Sequence, residues 1–353
     1  MAAKMRAIIK SGPHTGLEMV FVDIPSLRYD EVLIKVTAAS ICGTDLHIYK
    51  WNQWAQERIK KLPLIIGHEF AGTVVGTGQR VSSFSPGDYV SADSHIVCGE
   101  CMQCRTGQQH ICSNLKILGV DRDGCFAEYV SIPAKGVWKN DDTVLPEFAS
   151  VQDPLGNAIY CTLVESVAGK SVLVIGDGPI GLFSVGIARA SGASWIGLMG
   201  RHPSRMDVAR RMGADDIYNS EEEGLTSTIM DMTDGVGVDV VLEMSGSATG
   251  LEQGLRLLRK GGRFSAFGLF STPVTVDITN QIIFKGIRLY GINGRILFDT
   301  WYQMHNLLKS KRLDISPVIT HKLPFDDFEK AFALLMERPK KAVKVVLMVE
   351  NPP

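Results

Sequence analysis

A glycine-rich turn between an apolar run and a helix-forming run constrains the fold of this chain more than any other feature. Residues 172–181 read VLVIGDGPIG and place Gly176, Gly178 and Gly181 in GxGxxG spacing. In such a turn the first glycine permits a tight bend, the second lets the backbone approach a pyrophosphate, and the third allows close helix–strand packing. Because the sequence has 35 glycines, chance matches occur. The strand-like run before the turn and the helix-like run after it favour a dinucleotide site over an ordinary βα turn.

The rest of the chain shows two textures. After residue 170, apolar runs at 194–200, 238–246 and 262–268 alternate with helix-forming stretches, which predicts a doubly wound parallel sheet. The first 150 residues instead alternate short β-type runs with glycine and proline, which predicts an irregular β-rich domain. A β-type tail, AVKVVLMVE, is expected to rejoin that domain. The expected fold class is therefore α/β, with a catalytic domain of residues 1–150 and 296–353 and a dinucleotide-binding Rossmann domain of residues 151–295.

Composition and charge exclude several classes of function. The 37 basic and 38 acidic residues give a net charge of −1, so the chain lacks the clustered positive excess that nucleic acids or anionic membranes attract. The N-terminal MAAKMRAIIKSG has no apolar core of signal-peptide length. Residues 180–200 carry only one charge, Arg189, but burying it mid-membrane would cost ~2.5–3.5 kcal/mol, and Gly192 breaks the run. We expect a cytoplasmic protein with a small-molecule substrate and no nucleic-acid or membrane partner.

Four cysteines close together indicate a metal site. Cys98, Cys101, Cys104 and Cys112 have the spacing C-x2-C-x2-C-x7-C, and four thiolates in one loop suit a tetrahedral structural zinc. The alternative is an iron–sulfur cluster, whose usual run has three residues before a fourth cysteine that proline follows. Here seven residues precede the fourth cysteine and Ser113 follows it. The odd total of seven cysteines also argues against a disulfide framework.

A second set of possible metal ligands is dispersed. Cys42 lies in ICGTDLHIY, His68 and Glu69 lie in IIGHEFAG, and Asp153 lies in QDPLGNA. A cysteine, a histidine and a carboxylate with one open position are typical of a catalytic zinc. Spacing alone does not bring these residues together. Each also has a structural interpretation, such as a small core residue for Cys42, an interior imidazole for His68 or a helix cap for Asp153.

The end of the second strand of the cofactor domain decides which nicotinamide cofactor fits. NAD sites carry an acidic residue there to bond the ribose 2′-hydroxyl, whereas this chain has Gly200, followed by Arg201 and Arg205. Without the carboxylate a 2′-phosphate is not repelled, and a guanidinium can bind it bidentately. The sequence therefore predicts NADP over NAD. The alternative is that both arginines are solvated and the site accepts either cofactor. The sequence gives no account of Asp177, whose charge is unfavourable beside a pyrophosphate.

GHEFAG, the four-cysteine loop and the GxGxxG turn together resemble the zinc-dependent medium-chain alcohol dehydrogenases over the whole chain. Within that family, ICGTDLHIYKWNQWAQ, SHIVCGECMQC, QDPLGNA, GINGRILFDTWYQM and SPVITHKL are similar to the threonine dehydrogenase branch. The resemblance implies a GroES-like catalytic domain, one catalytic and one structural zinc per chain, and hydride transfer from a secondary alcohol to a nicotinamide cofactor. For that branch the reaction is L-threonine to 2-amino-3-ketobutyrate. The branch uses NAD and carries an acidic residue at the position of Gly200. The pair Gly200 and Arg201, with Tyr218, resembles NADP-using secondary alcohol dehydrogenases instead.

The resemblance also implies roles for single residues. It implies that the dispersed cysteine, histidine and glutamate hold the catalytic zinc, with Asp153 as a further ligand or beside it. It implies a proton relay from Thr44 to His47, and a part in substrate selection for His95. The expected cofactor-binding residues are Gly176, Gly178, Pro179, Ile180, Gly181, Gly200, Arg201, Arg205, Tyr218, Ile292 and Arg295.

The sequence is also compatible with two other functions. One is an NADP-dependent polyol, sugar or simple secondary alcohol dehydrogenase, which the residues at 200 and 201 favour. The other is a non-catalytic dinucleotide-binding protein, which would have no need of the dispersed zinc ligands that this chain retains. The family resemblance further implies a homo-oligomer, a dimer or a tetramer, formed through the edge of the cofactor sheet near residues 287–292.

Overall fold

Two structural units divide the chain. The computed structural model describes residues 3–349. Of these residues, the first unit contains 3–153, Ile319–Glu337 and 344–349, and the second contains Pro154–Val318 and Arg338–Val343.

The first unit is built mainly from short strands. Its elements up to residue 153 are strands β1 (Lys4–Lys10), β2 (Glu18–Asp23), β3 (Glu31–Ser40), β4 (Leu64–Ile65), β5 (Glu69–Thr77), β6 (Tyr89–Ala92), β7 (His95–Ile96), β8 (Lys116–Ile117), β9 (Tyr129–Pro133) and β10 (Val137–Lys139), and helices α1 (Gly43–Lys50), α2 (Gln53–Arg58), α3 (Met102–Arg105) and α4 (Pro146–Ala149). Alternate residues of β3, including Val32, Ile34 and Val36, are fully buried. This two-residue period places one face of the strand in the core.

The second unit is a parallel sheet with helices between its strands. Its elements are α5 (Gln152–Leu163), which begins at the unit boundary, β11 (Ser171–Ile175), α6 (Pro179–Ala190), β12 (Trp195–Gly200), α7 (Pro203–Met212), β13 (Asp216–Asn219), α8 (Leu225–Met232), β14 (Val238–Glu243), α9 (Ala248–Leu257), β15 (Leu258–Ala266), β16 (Arg288–Gly291) and α10 (Asp299–Lys309). The strand order is β13-β12-β11-β14-β15-β16, which is the order of dinucleotide-binding Rossmann folds. The α/β fold class predicted from the sequence is confirmed.

The end of the chain returns to the first unit. It forms β17 (Ile319–Pro324), α11 (Phe328–Met336) and β18 (Lys344–Met348). The large sheet of the first unit runs β10-β6-β5-β3-β18-β17, with β9 also paired to β3. Because β18 is antiparallel to β3, with Val346 opposite Ser40, Lys344 lies near the end of β3.

The second unit ends at a different residue from the one expected, which was 295. Residues 296–318 lie in the second unit. Trp301 and Met304 of α10 are fully buried, and Leu313 packs so closely on α6 that a Cβ on Gly186 would lie 2.9 Å from its side chain. An amphipathic pattern shows that a helix has a buried face but not which unit covers it.

The apolar stretch 180–200 is divided between α6 and β12. Gly192, at a φ of +84°, lies between these two elements. Within residues 3–349, no helix is both long enough and apolar enough to cross a membrane.

Candidate active site

Three side chains of the kind that bind transition metals converge in the first unit. The Cys42 Sγ, an imidazole nitrogen of His68 and a carboxylate oxygen of Glu69 all lie within 4.8 Å of one another. Cys42 is the N-cap of α1, and Glu69 begins β5 directly after His68. Gly67 makes the turn into this strand at a φ of +87°, and a Cβ there would lie 2.2 Å from the Phe126 ring. Only glycine fits this turn, so the backbone itself directs His68 and Glu69.

Negative charge surrounds the His68 imidazole, as a cation site requires. His68 Nδ1 lies 3.5 Å from Asp45 Oδ1, and Asp45 Oδ2 accepts a hydrogen bond from the Cys42 N–H at 2.8 Å. Burial would lower the pKa of His68, but the Asp45 carboxylate and the Cys42 sulfur outweigh it and raise that pKa well above its usual value. A carboxylate at Nδ1 leaves Nε2 as the metal-binding atom. The donor set therefore fits a zinc ion with three protein ligands.

Glu69 belongs both to this cluster and to a buried ion pair. Its Oε2 contacts Lys344 Nζ and accepts a hydrogen bond from Ser40 Oγ. Lys344 is 2% exposed, and its Nζ also donates to the Ile41 carbonyl at 3.0 Å. Burial would lower the pKa of Lys344, but Glu69 holds it above the usual value. Lys344 is therefore a buried ammonium, and the Glu69 carboxylate is shared between this ion pair and the ligand cluster.

Thr44 and His47 lie on consecutive turns of α1. His47 Nδ1 lies 2.6 Å from Asn52 Nδ2. Asn52 Oδ1 accepts a hydrogen bond from the Ala55 N–H, so the NH2 group of Asn52 is the one that donates to His47. Neutral His47 therefore carries its proton on Nε2. Burial and a neighbouring lysine lower the pKa of His47, which keeps the imidazole neutral at pH 7.

Asp153 and His95 lie outside the converging ligand atoms. Asp153 Oδ1 accepts a hydrogen bond from the Ser94 N–H at 2.9 Å, and in the described part of the chain it is not among the donors that lie within ligand distance of one another. The His95 N–H donates to Asp93 Oδ1 at 2.8 Å. Asp153 beside the zinc therefore stays a prediction, and in this structure its carboxylate holds the loop that carries His95.

The four cysteines of the loop after β7 form a second metal-binding cluster. The sulfurs of Cys98, Cys101, Cys104 and Cys112 lie within 4.8 Å of one another, and none is in a disulfide. The N–H groups of Glu100 and Cys101 point at the Cys98 sulfur and lower its pKa. All four positions of a tetrahedral site are occupied by sulfur, so this arrangement suits a structural zinc.

The glycine-rich turn has the geometry of an anion site. A Cβ on Gly181 would lie 2.0 Å from the Gly176 carbonyl oxygen, so α6 can pack on the turn only with glycine there. The helix begins at Pro179, with Gly178 as its N-cap. Its first turn, which includes Ile180, presents N–H groups that have no partner within the helix.

The loop after β12 presents one arginine and buries the other. The Arg201 side chain is 62% exposed, and its Nη1 lies 3.8 Å from Glu221 Oε1. Arg205 is 7% exposed, and its Nε and Nη2 donate to the Ala342 carbonyl at 3.1 and 2.6 Å. Of the two arginines predicted to bind a 2′-phosphate, only Arg201 is turned to the surface near Gly200.

The remaining predicted cofactor residues also lie in the second unit. Tyr218, on β13, points its hydroxyl at Met232 Sδ at 3.6 Å. Ile292 is buried directly after β16. Arg295 is 1% exposed, and its Nη1 donates to Asn157 Oδ1 at 2.9 Å. Arg295 is therefore held inside the unit.

Sequence reasoning missed three residues of the site. Asp45 is three residues after Cys42, and the C-x-x-D spacing at a helix start is a recognisable capping signal. Asn52 is marked by the same kind of signal, as the N-cap of α2. Lys344 has no signal of its own, because nothing local shows that a tail strand will pair beside β3.

Comparisons with known proteins identify the family of the chain. Residues 28–142 match the alcohol dehydrogenase GroES-like domain, and residues 179–310 match the zinc-binding dehydrogenase family. L-threonine 3-dehydrogenase of Pyrococcus horikoshii is 50% identical over 351 residues, which is 99% of this chain and 100% of that protein.

Two solved structures share the fold along nearly the whole chain. A zinc-binding dehydrogenase from Sinorhizobium meliloti 1021, bound to NADP, has a TM-score of 0.89 and 29% identity, covering 98% of this chain and 99% of that one. An alcohol dehydrogenase from Escherichia coli CFT073, complexed with NADH, has a TM-score of 0.90 and 27% identity, covering 98% and 100%. Proteins of this fold thus take either nicotinamide cofactor.

Proposed function

Because the chain belongs to the zinc-dependent medium-chain alcohol dehydrogenases, as a relative of L-threonine 3-dehydrogenase, we propose that it oxidises L-threonine to 2-amino-3-ketobutyrate with NADP. Its general activity, zinc-dependent oxidation of a CH–OH group with a nicotinamide cofactor, follows from the family. The threonine substrate rests on the 50% identity to a threonine dehydrogenase over 99% of the chain.

The convergence of Cys42, His68 and Glu69 is the observation that carries an enzymatic function. Within residues 3–349, this cluster and the four-cysteine loop are the two groups of ligand atoms that could hold a metal. A three-ligand set leaves one position for a substrate oxygen, whereas a four-sulfur set does not. A non-catalytic dinucleotide-binding protein would not need the three-ligand set. We therefore infer two zinc ions per chain, one catalytic and one structural.

The reaction removes a hydride and a proton from the secondary alcohol. Zinc at the three-ligand site would lower the pKa of the substrate hydroxyl, and the nicotinamide would accept the hydride. The chain's own task is to carry the hydroxyl proton to solvent. The Thr44 hydroxyl, whose Oγ1 lies 3.9 Å from Cys42 Sγ, receives that proton and releases its own. His47, on the next turn of α1, then passes it outward, because a neutral imidazole can accept a proton.

The preference for NADP rests on the loop after β12. Gly200 offers no carboxylate to a ribose 2′-hydroxyl, and Arg201 beside it is exposed. A guanidinium binds a phosphate bidentately. Relatives of this fold bind either NADP or NADH, so the preference rests on these residues alone.

Assembly and location are further parts of the proposal. The edge strand β16 carries Leu289 at 51% exposure, and Phe284 just before it is 69% exposed. Exposed apolar residues beside an unpaired sheet edge favour pairing with a second copy of the chain. We infer a homo-oligomer, a dimer or a tetramer. Free cysteines at all seven positions suit a reducing compartment such as the cytoplasm.

Initial rates on zinc-replete protein test the substrate and the cofactor together. L-Threonine is compared with a panel of polyols, sugars and simple secondary alcohols, each with NAD and with NADP. We expect the highest kcat/KM for L-threonine with NADP. Inert threonine beside a good secondary alcohol would overturn the substrate and leave the reaction class. Equal or better use of NAD would overturn the cofactor preference.

The His47→Asn variant tests the proton relay. We expect kcat/KM for alcohol oxidation to fall about ten-fold near pH ~6 and much less near pH ~9, because hydroxide can then take the proton directly. An unchanged pH–rate profile would contradict the relay. The measurement is kcat/KM across this pH range.

The Asn52→Asp variant tests the His47 imidazole in a second way, by changing its hydrogen-bond partner. Aspartate keeps the N-cap of α2 but replaces an N–H donor at His47 Nδ1 with a carboxylate. This change favours the imidazolium and raises the pKa of His47. His47 accepts a proton only when it is neutral, so the acid limb of the profile is expected to move up by about one pH unit. An acid limb at the wild-type position would show that His47 does not govern it.

A further inference from the structure

Asp177, the second residue of the glycine-rich turn, points to the end of the neighbouring strand β12. Its Oδ2 accepts hydrogen bonds from the N–H groups of Arg201 at 2.8 Å and His202 at 2.7 Å. His202 Nδ1 lies 2.9 Å from the same oxygen and 3.0 Å from Oδ1. Asp177 is 7% exposed. Its carboxylate therefore faces the strand-end loop, residues 200–202, and not the surface.

The charge of Asp177 is compensated inside the protein. Burial would raise the pKa of Asp177, but the bonds from His202 and from the two N–H groups outweigh it and hold the pKa below its usual value. The ionised carboxylate thus has three N–H donors around it. A carboxylate held this way is not a repulsive charge beside an anion at the turn.

Gly200 and Asp177 occupy complementary space. A Cβ on Gly200 would lie 2.9 Å from both the Cβ and the Oδ2 of Asp177. Position 200 is where an NAD site carries its acidic side chain. With Asp177 in place, such a side chain would meet both a steric clash and a second negative charge. The missing acidic residue and the unusual aspartate are therefore two parts of one arrangement.

The arrangement leaves Arg201 as the exposed cation of the loop. Its backbone N–H is fixed by Asp177, while its side chain is 62% exposed. The neighbouring Arg205 is turned inward to the Ala342 carbonyl. Fixing the backbone at Arg201 restricts where its guanidinium can reach, which favours binding of a phosphate at one position.

We propose that Asp177 is a positioning residue that ties down the strand-end loop and, together with Gly200, sets the choice between NADP and NAD. This inference rests on the proposed use of NADP at the same site. Asp177 acts through Arg201 and does not touch the cofactor. The pair at 177 and 200 forms a single specificity switch, so substitutions at the two positions are expected to be strongly non-additive.

A double-mutant cycle with Asp177→Gly, Gly200→Glu and their combination tests the switch. The readouts are the Kd values for NADP and NAD, measured by titration calorimetry without substrate, and the ratio of kcat/KM for NADP to kcat/KM for NAD. A general loss of stability does not change either ratio. Asp177→Gly is expected to raise the KM for NADP about ten-fold, with little effect on the KM for NAD, because charge-assisted bonds that order Arg201 are lost. Gly200→Glu alone is expected to impair both cofactors. The combination is expected to use NAD better than NADP.

The isosteric Asp177→Asn variant separates positioning from repulsion. If the carboxylate positions the loop, this variant has a higher KM for NADP, because one acceptor oxygen becomes a donor. A lower KM for NADP would mean that Asp177 repels the phosphate and would overturn the proposal. So would a rise confined to the KM for NAD, which would mean that Asp177 itself binds the ribose.

Asp215→Asn is the matched control. Asp215 Oδ2 accepts the Ile196 N–H at 2.7 Å, so it is a carboxylate that ties backbone near the other end of β12. Removing this carboxylate is expected to leave the ratio of kcat/KM for NADP to kcat/KM for NAD unchanged. If the wild-type enzyme prefers NAD, the proposed use of NADP is wrong, but the switch is not refuted. The double-mutant cycle measures the coupling between positions 177 and 200 whichever cofactor is preferred. Additive effects at the two positions would overturn the switch.

Discussion

Replacing Cys42 by serine is expected to lower kcat/KM for alcohol oxidation about a thousand-fold or more. A serine hydroxyl does not supply the thiolate that completes the set with His68 and Glu69. The Lewis acid that lowers the substrate's hydroxyl pKa contributes several kcal/mol, and each ~1.4 kcal/mol is a factor of ten in rate. The zinc content is expected to fall from two ions to one per chain, measured by plasma mass spectrometry after dialysis. The fold should persist, because the ligand cluster is a small part of the first unit.

Two matched cysteine variants make this result specific. Cys161→Ser changes a buried thiol of the second unit and is expected to keep both zinc ions and near-normal turnover. Cys104→Ser removes one sulfur of the four-cysteine loop and is expected to lose the structural ion, with a lower melting temperature. A Cys42→Ser enzyme with two zinc ions and full activity would refute the three-ligand site.

The fold of the second unit could be predicted from the sequence because its signals are local. The GxGxxG turn has a strand directly before it and a helix directly after it, which together mark a dinucleotide-binding βα unit. The four-cysteine loop is equally local, since its donors span only residues 98–112. No local signal, in contrast, shows that α10 belongs to the second unit and not to the first.

The rest of the site depends on pairings between distant residues. Only the family resemblance groups Cys42, His68 and Glu69 as ligands, because the register between β3 and β5 has no sequence marker. The same holds for Lys344, which reaches Glu69 only because β18 pairs with β3. The part that Asp153 plays is open for a related reason, since a carboxylate can bind a metal or a backbone N–H. Sequence does not distinguish these two uses.

Replacing Lys344 by methionine is expected to lower the free energy of unfolding by about 3–5 kcal/mol in zinc-free protein, because it leaves Glu69 as an uncompensated buried charge. Glu69 and Lys344 are 1% and 2% exposed, so water cannot replace the lost partner. A bound zinc ion can compensate the same carboxylate. The decrease in the free energy of unfolding should therefore be smaller in zinc-loaded protein. Urea unfolding with and without the metal measures it.

A surface ion pair provides the control for this prediction. Lys139 pairs with Asp88, and its side chain is 62% exposed, so Lys139→Met is expected to cost less than about 1 kcal/mol with or without zinc. The double variant Lys344→Met with Glu69→Gln removes both charges and should regain much of the stability lost by Lys344→Met alone. If Lys344→Met costs the same with and without zinc, Glu69 is not shared between the ammonium and the metal. A smaller decrease in the free energy of unfolding with zinc than without it would show that Lys344 and the metal share the Glu69 carboxylate.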